Sequence, residues 1–421
     1  MTGLYAMKMD QGRLARSAGA EWLKQALADS RADTLQTLAC YERTLGAGLP
    51  VPYSAELNPP LWELGHIGWF QDVWLSRNPQ WRLGVQADPS IQRSPGRRGN
   101  SDALYDSSQV PHAQRWTLDL PDLSSTRADL AAQLAQNLTL LTQADGSAAE
   151  LYFFRLALLH EDMHHEAALY MAQNLGIPIA DPRWQPQALV GERTLAALSA
   201  CRWAPGQAEA ARDCFHFDNE LGCAESDWVD LAPFEIDLRV LSWAEYLAFV
   251  DSGGYGQARW WSEAGRACLQ GRTAPRYLRR GEQGGWQLQR WGVWQDLTPL
   301  HLTQAAVHLT AYEAEAWCAW AGRRLPTEAE WHCAASRLGT DFAWGQVWEW
   351  TASDFLPFSG FQAHPYRDYS QPWFGQRRVL RGASLFTQPR MRHLDYRNFF
   401  APARNDIAAG FRSCAMRPQP T

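Results

Sequence analysis

The sequence has no C-x-x-C pair among its eight cysteines, and the spacing of Cys214 and Cys223 matches no common zinc motif. It has no run of about 18 apolar residues, so we expect no membrane-spanning helix and no membrane partner. Residues 1–16 lack the apolar core of a secretory signal peptide. We therefore expect a cytoplasmic protein whose thiols are reduced.

Basic residues are not in excess, because 39 Lys and Arg stand against 45 Asp and Glu, a net charge of −6. This balance lacks the basic surface typical of nucleic-acid binding, so no nucleic-acid partner is expected. Hydrophobic residues make up 46% of the 421 positions and charged residues 20%, which predicts a globular chain of two or three domains. Most of the 22 tryptophans are expected in the core, and a few could line a site for a flat or cationic ligand.

The first half has the pattern of a helical bundle. Apolar residues recur at helical spacing in four segments, and a long polar stretch separates the second from the third. In the second segment Asn58 is the expected N-cap, with prolines in the first turn. We predict a four-helix bundle within a first domain, 1–180. The segments are 20–45, 58–75, 125–143 and 148–175, and the long loop is 80–120.

The second half predicts a loop-rich α+β domain, 181–421. Gly and Pro make 176–200 a candidate linker. Beyond it, short strand-like runs such as FEIDL, VLRGAS and GFRSCAM alternate with glycine-rich turns. Three capping boxes predict short helices, because in each a hydroxyl caps one helix amide and a Glu three residues later caps another. They are Ser242–Glu245, Thr310–Glu313 and Thr327–Glu330.

A histidine pair is the first candidate for a metal site. His160 and His164 stand four residues apart in LHEDMHHEAALYM, which places both imidazoles on one face of a helix. The same spacing also arises by chance, so a metal site and a coincidence both stay open. His165 points about 100° away and is expected in solvent or in an outer shell. Glu166 lies on neither histidine face, so a structural or outer-shell role is expected.

His66, in WELGHIGWF, could complete such a site. Its helical neighbours are apolar, and a lone histidine among them is usually a core residue. In a bundle, however, this helix can pack against the one that carries His160 and His164. Three neutral imidazoles with open positions suit iron, zinc or copper, and the residue types do not choose among these metals.

The C-terminal part is dense in Trp, Arg and Gly, and most of these residues are expected to be structural. We expect Trp348 and Trp350 in the core, Arg381 and Gly382 in a buried turn, and Arg412 in an internal ion pair.

The segment RNFF differs, because the polar Asn398 precedes two aromatic rings, Phe399 and Phe400. Such rings can hold a quaternary ammonium by cation–π attraction, worth up to about 2 kcal/mol when desolvated. Core packing explains the same residues equally well, so both interpretations stay open.

Taken together, these motifs resemble a known family. GHIGWF and HEDMHHE are similar to the DinB-like helical domain of ergothioneine-type sulfoxide synthases. GRRLPTEAEW, VWEWTAS, VLRGAS, RNFF and GFR resemble their second domain, which has the formylglycine-generating-enzyme (C-type-lectin-like) fold. The resemblance covers nearly the whole chain. It implies a non-haem iron(II) enzyme that uses O2 to join a chalcogen to C2 of the imidazole of hercynine (trimethylhistidine).

The resemblance also implies roles for single residues, carried over by motif. The implied iron ligands are His66, His160 and His164. The residues implied to hold the trimethylammonio-carboxylate end of hercynine are Asn398, Phe399 and Phe400, with Arg404 nearby.

Three departures from the family pattern concern the reaction. No cysteine follows RGAS, so the oxidase chemistry of formylglycine-generating enzymes is not expected. Phe355 and Phe358 stand where the sulfoxide synthases carry a tyrosine that serves the oxygen chemistry. Where arginines hold the thiol donor in those enzymes, residues 104–115 offer only His112 and Arg115, which disfavours γ-glutamylcysteine as donor.

The ending RNFFAPARNDIAAGFRSCAM resembles instead the selenoneine synthases, which join a selenosugar to hercynine. A sugar donor needs hydrogen-bonding groups rather than arginines, and Tyr105, Asp106, Ser107 and Ser108 could supply them. Tyr105 is also a candidate general acid from its position. The leading hypothesis is therefore an iron(II)- and O2-dependent enzyme that forms a C–Se bond between hercynine and a selenosugar.

Three alternatives stay open. The first keeps the chemistry and changes the donor to cysteine or γ-glutamylcysteine, as in ergothioneine-type sulfoxide synthesis. The second is a zinc-dependent thiol transferase or hydrolase of the DinB-like kind, which would make no use of O2. The third is a binding module without catalysis. The polar loop could also simply cross solvent.

Overall fold

The computed structural model describes residues 11–204, 214–222 and 225–416. Two features of the sequence analysis lie wholly or partly outside this range. They are residues 1–10 of the N-terminal segment 1–16, which was judged to lack a signal peptide, and Cys223, which was compared with zinc motifs. Within the range, helices fill the first half, and short strands with shorter helices fill the second. No described helix has the length and apolarity needed to cross a membrane.

Long helices dominate the first half and short ones the second. The first five are α1 (Ala20–Leu45), α2 (Pro60–Gln71), α3 (Ser101–Tyr105), α4 (Leu123–Leu141) and α5 (Ala148–Leu175). The others are α6 (Trp243–Asp251), α7 (Glu263–Leu269), α8 (Pro299–Leu302), α9 (Ala311–Trp320) and α10 (Glu328–Leu338). The four long helices of the first half lie where the apolar periodicity predicts them.

The strands are short, and all of them lie in the second half. They are β1 (Leu195–Leu198), β2 (Cys201–Trp203), β3 (Val229–Leu231), β4 (Phe234–Asp237), β5 (Leu278–Arg280), β6 (Trp286–Arg290), β7 (Val293–Asp296), β8 (Arg323–Arg324), β9 (Trp348–Asp354), β10 (Arg378–Gly382), β11 (Asn398–Phe400), β12 (Ala409–Gly410) and β13 (Cys414–Ala415). In the described part of the chain they form sheets of order β1–β4–β13–β8, β11–β10–β9–β12, β2–β3 and β5–β6–β7. The α+β class is confirmed. The DinB-like character of the bundle and the boundary between 180 and 181 stay predictions.

Most helix ends follow their sequence signals. Asp122 caps α4 by accepting a hydrogen bond from the Ser125 amide at 2.7 Å, and Ser147 caps α5 through the Glu150 amide at 3.3 Å. Gly176 ends α5 with a φ of 70°, in the left-handed region that glycine tolerates. The three predicted capping boxes are present at the starts of α6, α9 and α10.

The start and the end of α2 differ from the prediction. Pro59 is the N-cap, not Asn58, because the Asn58 amide donates a hydrogen bond to Glu63 instead. The α-helix ends at Gln71 and continues as a π turn over Asp72–Ser76.

Two segments expected without regular structure contain some. The predicted loop 80–120 includes α3 and two 3-10 turns, Trp81–Gln86 and His112–Trp116. The predicted linker 176–200 ends in β1, which pairs antiparallel with β4. In the second segment the order comes with burial, because Ile177, Ile179 and Trp184 belong to the core.

Helix α5 joins the helical half to the sheets through polar groups. Arg390 donates to both oxygens of Asp162, at 2.9 Å each. Trp348 of β9 and Ser384 donate to Glu166 at 2.7 and 2.6 Å. The two halves also share one apolar core. These contacts set the position of α5 relative to the sheet that contains β9 and β11.

The expected internal ion pair of Arg412 is present. Its partner is Glu349, both side chains are fully buried, and one nitrogen–oxygen distance is 2.8 Å. Trp331 also donates its indole N–H to Glu349 at 2.7 Å. Arg381 and Gly382, expected in a turn, instead end strand β10.

We expect Arg412→Met to lower the free energy of unfolding by about 3–5 kcal/mol, because the Glu349 carboxylate would stay buried without its ionic partner. Urea unfolding followed by circular dichroism measures the change. The matched control is Arg280→Met, which breaks the exposed pair with Asp251 and should cost less than about 1 kcal/mol. Equal losses in the two variants would contradict the role given to the buried pair.

Candidate metal centre and substrate cavity

Three histidines from two helices converge at one point. His160 and His164 lie one turn apart on α5, with their Nε2 atoms 3.2 Å from each other. His66 of α2 faces them, with its ring centroid 5.3 Å from that of His160 and 5.0 Å from that of His164. One ligand atom from each residue lies within 4.8 Å of the other two, so the group could hold one metal ion.

The protein itself occupies the second ring nitrogen of His66. Nδ1 lies 2.8 Å from the backbone carbonyl oxygen of Tyr105, and as a donor there it leaves Nε2 with a free lone pair. Tyr105 reaches this place because its ring packs directly on Gly65, where a Cβ would stand 2.2 Å from the ring. Gly65 is therefore what allows α3 to approach α2 so closely.

A carboxylate orients His164. Nδ1 of this residue contacts Glu63 of α2, and Glu63 also accepts a hydrogen bond from Asn58. This arrangement directs Nε2 of His164 toward His160. A carboxylate on the remote nitrogen is the usual means by which proteins hold a metal-binding imidazole in one orientation.

Burial keeps His66 and His160 neutral. It lowers the pKa of His66 to about 3 and the pKa of His160 well below its usual range, and neighbouring histidines add to both shifts. The His160 ring also stacks on Phe70 with centroids 3.5 Å apart, and no described residue bonds to its Nδ1. Neutral imidazoles offer lone pairs, so this donor set fits a transition-metal ion.

The two polar residues that follow His164 contact protein groups. His165 is 1% exposed and lies between Thr37, at 2.9 Å, and Gln388, at 3.1 Å, so it does not lie in solvent. Glu166 accepts hydrogen bonds from Trp348 and Ser384, which agrees with a structural role. Burial raises the pKa of the Glu166 carboxyl.

A cavity of about 700 Å³ opens onto His160 and His164. Its aromatic lining consists of Tyr170, Trp348, Tyr366, Tyr369, Trp373, Tyr396, Phe399 and Phe400. Its polar lining includes Asn58, Glu63, Ser107, Ser108, His112, Arg115, Glu166, Asp368 and Asn398. Both halves of the chain contribute, so the cavity exists only because the bundle and the sheet pack together. Its size and composition suit a small organic ligand.

Strand β11 brings Asn398, Phe399 and Phe400 to the wall of this cavity. Antiparallel pairing with β10 sets its register. Arg404, the fourth residue expected to bind substrate, is not among the described residues that line the cavity. It forms an ion pair with both oxygens of Asp406, at 2.6 and 2.7 Å, and its guanidinium lies 5.3 Å from the Phe400 ring centroid. Arg404 therefore lies beside Phe400, and its part in substrate binding stays a prediction.

Tyr105 is also placed differently from the expectation. Its side chain lines a separate, smaller cavity beside Arg98 and Asp129 and packs on Gly65. Its backbone carbonyl is the part that serves the histidine group, through His66. Burial raises the pKa of its phenol to about 12. Tyr105 is not among the described residues that line the cavity of about 700 Å³, and its role as general acid stays a prediction.

Tyr366 is a cavity residue that the sequence analysis missed. Its ring centroid lies 4.9 Å from that of Phe70 and 6.1 Å from that of His160. Burial raises the pKa of its phenol, so the hydroxyl group stays protonated at neutral pH. A sequence signal existed, because Tyr366 follows Phe355 and Phe358 in the same segment after WEWT.

The two basic residues of 104–115 line the cavity, but both are engaged by protein groups. His112 bonds a backbone carbonyl through Nε2 at 2.8 Å. The Arg115 guanidinium lies 4.1 Å from the Trp62 ring centroid and donates to Asn58 at 2.8 Å and to two backbone carbonyls. Arg115 is the only arginine among the described residues that line the cavity.

Comparison with known proteins identifies the family. Residues 201–346 match the model of the sulfatase-modifying factor enzyme 1-like domain (FGE-sulfatase). The hercynine oxygenase of Mycolicibacterium thermoresistibile is 30% identical over 93% of this chain and 94% of its own length. That of Mycobacterium tuberculosis is 32% identical over 92% of this chain and 96% of its own. The chain belongs to the hercynine oxygenase family.

This membership confirms the resemblance to ergothioneine-type sulfoxide synthases at the level of the family. The formylglycine-generating enzyme of Streptomyces coelicolor is 33% identical over only 28% of this chain and 41% of its own length. The hercynine oxygenases therefore match both halves of the chain, including the helices that carry the three histidines.

We expect His164→Ala to abolish stoichiometric iron binding, because one of the three convergent imidazoles is lost while alanine preserves the helix. Equilibrium dialysis of the metal-free protein against iron(II) without oxygen, followed by metal analysis, gives the stoichiometry. His165→Asn is the matched control, since this neighbouring histidine contacts only protein groups and the variant should bind iron as the wild type does. Wild-type iron content in His164→Ala would refute the ligand assignment.

Proposed function

We propose that this chain is an iron(II)- and O2-dependent enzyme that joins a chalcogen atom to C2 of the imidazole of hercynine. The observation that carries the proposal is the convergence of three imidazoles at a cavity whose wall contains Asn398, Phe399 and Phe400. Membership of the hercynine oxygenase family supports both the substrate and the use of oxygen.

His66, His160 and His164 would hold the iron. Iron(II) bound there would supply the activation of O2. The protein's part is to keep two of the imidazoles, His66 and His160, neutral by burial. It also orients His66 through the Tyr105 carbonyl and His164 through the Glu63 carboxylate. The zinc-dependent alternative has the same ligands, but membership in a family of oxygenases favours iron.

The aromatic wall would hold the cationic end of hercynine. Phe399, Phe400 and nearby tyrosines offer ring faces to a trimethylammonium group. Arg404 next to Phe400 would repel such a cation, but Asp406 pairs with its guanidinium. This pairing explains how an arginine is tolerated beside the proposed site for a cation.

Tyr366 would be the proton donor near the histidine group. It replaces Tyr105 in that role because its ring lines the cavity and lies near His160. Its raised pKa keeps a proton on the phenol at neutral pH. A tyrosine is thus available although phenylalanines stand at 355 and 358.

For the donor we propose a selenosugar. A donor with carboxylates, such as γ-glutamylcysteine, would need cationic partners, and the guanidinium of Arg115 is already engaged by Trp62 and Asn58. A sugar carries no carboxylate, so the cavity's hydroxyl and carboxylate groups suit it better than an arginine clamp would. The soft selenolate is a suitable ligand for the iron.

The sulfur reaction with cysteine or γ-glutamylcysteine is the second candidate. One observation favours it. Relatives that match this chain over nearly their whole length carry the name hercynine oxygenase, and nothing in that name refers to selenium.

We expect Phe400→Ala to raise the Kd for hercynine about 5- to 30-fold, the equivalent of about 1–2 kcal/mol of lost cation–π attraction. Calorimetry on the iron(II) protein without oxygen measures the binding. Phe361→Ala is the control, because its ring packs on Phe374 and does not line the cavity. An unchanged Kd in Phe400→Ala would show that this ring contributes to core packing and not to hercynine binding.

Oxygen consumption with product mass spectrometry tests the donor. Iron-loaded protein receives hercynine and, in separate tubes, a selenosugar, cysteine or γ-glutamylcysteine. We expect oxygen uptake and a selenium-containing hercynine adduct only with the selenosugar. Among the described residues that line the cavity Arg115 is the one arginine, and it already donates to Asn58 and to two backbone carbonyls. Turnover with a thiol alone would establish the sulfur reaction, and no uptake in any tube would overturn the proposed function.

A further inference from the structure

The exposed edge of the cavity, which we call the rim, differs from its buried floor. It consists of Ser107, Ser108, Asp368, Pro372 and Trp373. These residues come from two segments that meet only in the folded chain, one before the bundle's third long helix and one after β9. None of them belongs to the histidine group or to β11, so the metal and hercynine proposals leave the rim without a role.

Trp373 presents an unusually exposed indole at the rim. Its side chain is 36% exposed. Its indole N–H donates to the backbone carbonyl of Asp368 at 3.2 Å, and the Arg377 guanidinium lies 4.7 Å from the ring centroid. The ring is therefore held in place, with part of its surface left to line the cavity. A fixed, exposed aromatic ring can bury the C–H face of a flat ligand at little entropic cost.

Asp368 adds a hydrogen-bond acceptor beside this ring. Its side chain is exposed, and within the described residues its carboxylate forms no ion pair. A carboxylate accepts hydrogen bonds from hydroxyl groups through two oxygens. Ser107 and Ser108 line the cavity with hydroxyl groups, and Ser108 is held by Asp106 at 2.7 Å.

The charge of the rim disfavours an anionic ligand. Asp368 raises the local negative charge, and Asp106 is close enough to contribute to the raised pKa of Asp368. Glu63 adds a further carboxylate deeper in the cavity. The one arginine of the lining, Arg115, donates to protein acceptors. A donor with free carboxylates would meet like charges here, whereas a neutral polyhydroxylated one would not.

We infer that the rim is the subsite for the sugar of the donor, with the ring face of the sugar on Trp373 and its hydroxyl groups on Asp368 and the two serines. This inference rests on the proposed function in one respect, namely that the donor is a selenosugar. It makes Trp373 and Asp368 specificity-determining residues that contact neither the iron nor hercynine.

Calorimetric titration tests the subsite. The probes are glucose with a thiol or a selenol on its anomeric carbon, titrated into metal-free and into iron(II)-loaded protein without oxygen. We expect Trp373→Ala to raise the Kd of the probes about tenfold or more and Asp368→Asn about fivefold, through lost ring contact and lost hydrogen bonds. The Kd for hercynine should stay at the wild-type value in both variants.

The matched control is Trp228→Ala. Trp228 is 39% exposed and lies beside the guanidinium of Arg202, as Trp373 lies beside that of Arg377, but it does not line the cavity. The Trp228→Ala variant should leave the Kd for the sugar probes and the Kd for hercynine unchanged.

A further variant tests the charge of the rim. Asp368→Arg should raise turnover with γ-glutamylcysteine relative to turnover with the selenosugar, because it replaces a charge that repels carboxylates with one that attracts them.

The outcomes separate this inference from the proposed function. If the wild type consumes oxygen with the selenosugar but Trp373→Ala and Asp368→Asn bind the probes as tightly as the wild type, the rim assignment is wrong and the proposed function stands. If the wild type binds no probe and turns over only a thiol, the proposal of a sugar donor and the assignment of the rim subsite are both wrong. Loss of probe and hercynine binding together in a rim variant would indicate general damage to the cavity and also contradict the assignment.

Discussion

Helix α5 carries Glu161, Asp162, His165 and Glu166 through the protein interior, where an unpaired charge or polar group would be costly. Each of the four has its own partner in a different direction. Glu161 pairs with Arg31 of the bundle at 2.7 Å, whereas Asp162 pairs with Arg390, and His165 and Glu166 meet residues of the second half. These partners fix the rotation of α5 about its axis, and the same rotation directs His160 and His164 toward His66.

The same packing assembles the histidine group. His66 and His164 are each oriented by a group on the remote nitrogen, and burial keeps His66 and His160 neutral. The same packing that orients the metal ligands builds the cavity, because Glu166 ties α5 to Trp348 and Ser384. A change at that contact would therefore move the proposed hercynine wall relative to the proposed iron ligands.

Charge neutralisation sets what the cavity can accept. Arg404 beside Phe400 is paired with Asp406, and Arg115 is engaged by Trp62, Asn58 and backbone carbonyls. Both guanidinium groups already donate to protein acceptors, although the sequence places both near the site. The remaining groups are aromatic rings, hydroxyl groups and carboxylates, which suit a cation at one end and a neutral polar molecule at the other.

The sequence by itself determined the features that depend on local spacing: the four long helices, the capping boxes, the α+β class, and the placement of His160 and His164 on one face. These features depend on residues that lie a few positions apart within one helix or strand. The tertiary structure decided the rest, because it depends on contacts between residues of different elements that lie far apart in the sequence. Packing of α2 on α5 brought in His66, close approach at Gly65 turned Tyr105 into a carbonyl partner of His66, and folding of the segment after WEWT placed Tyr366 by His160.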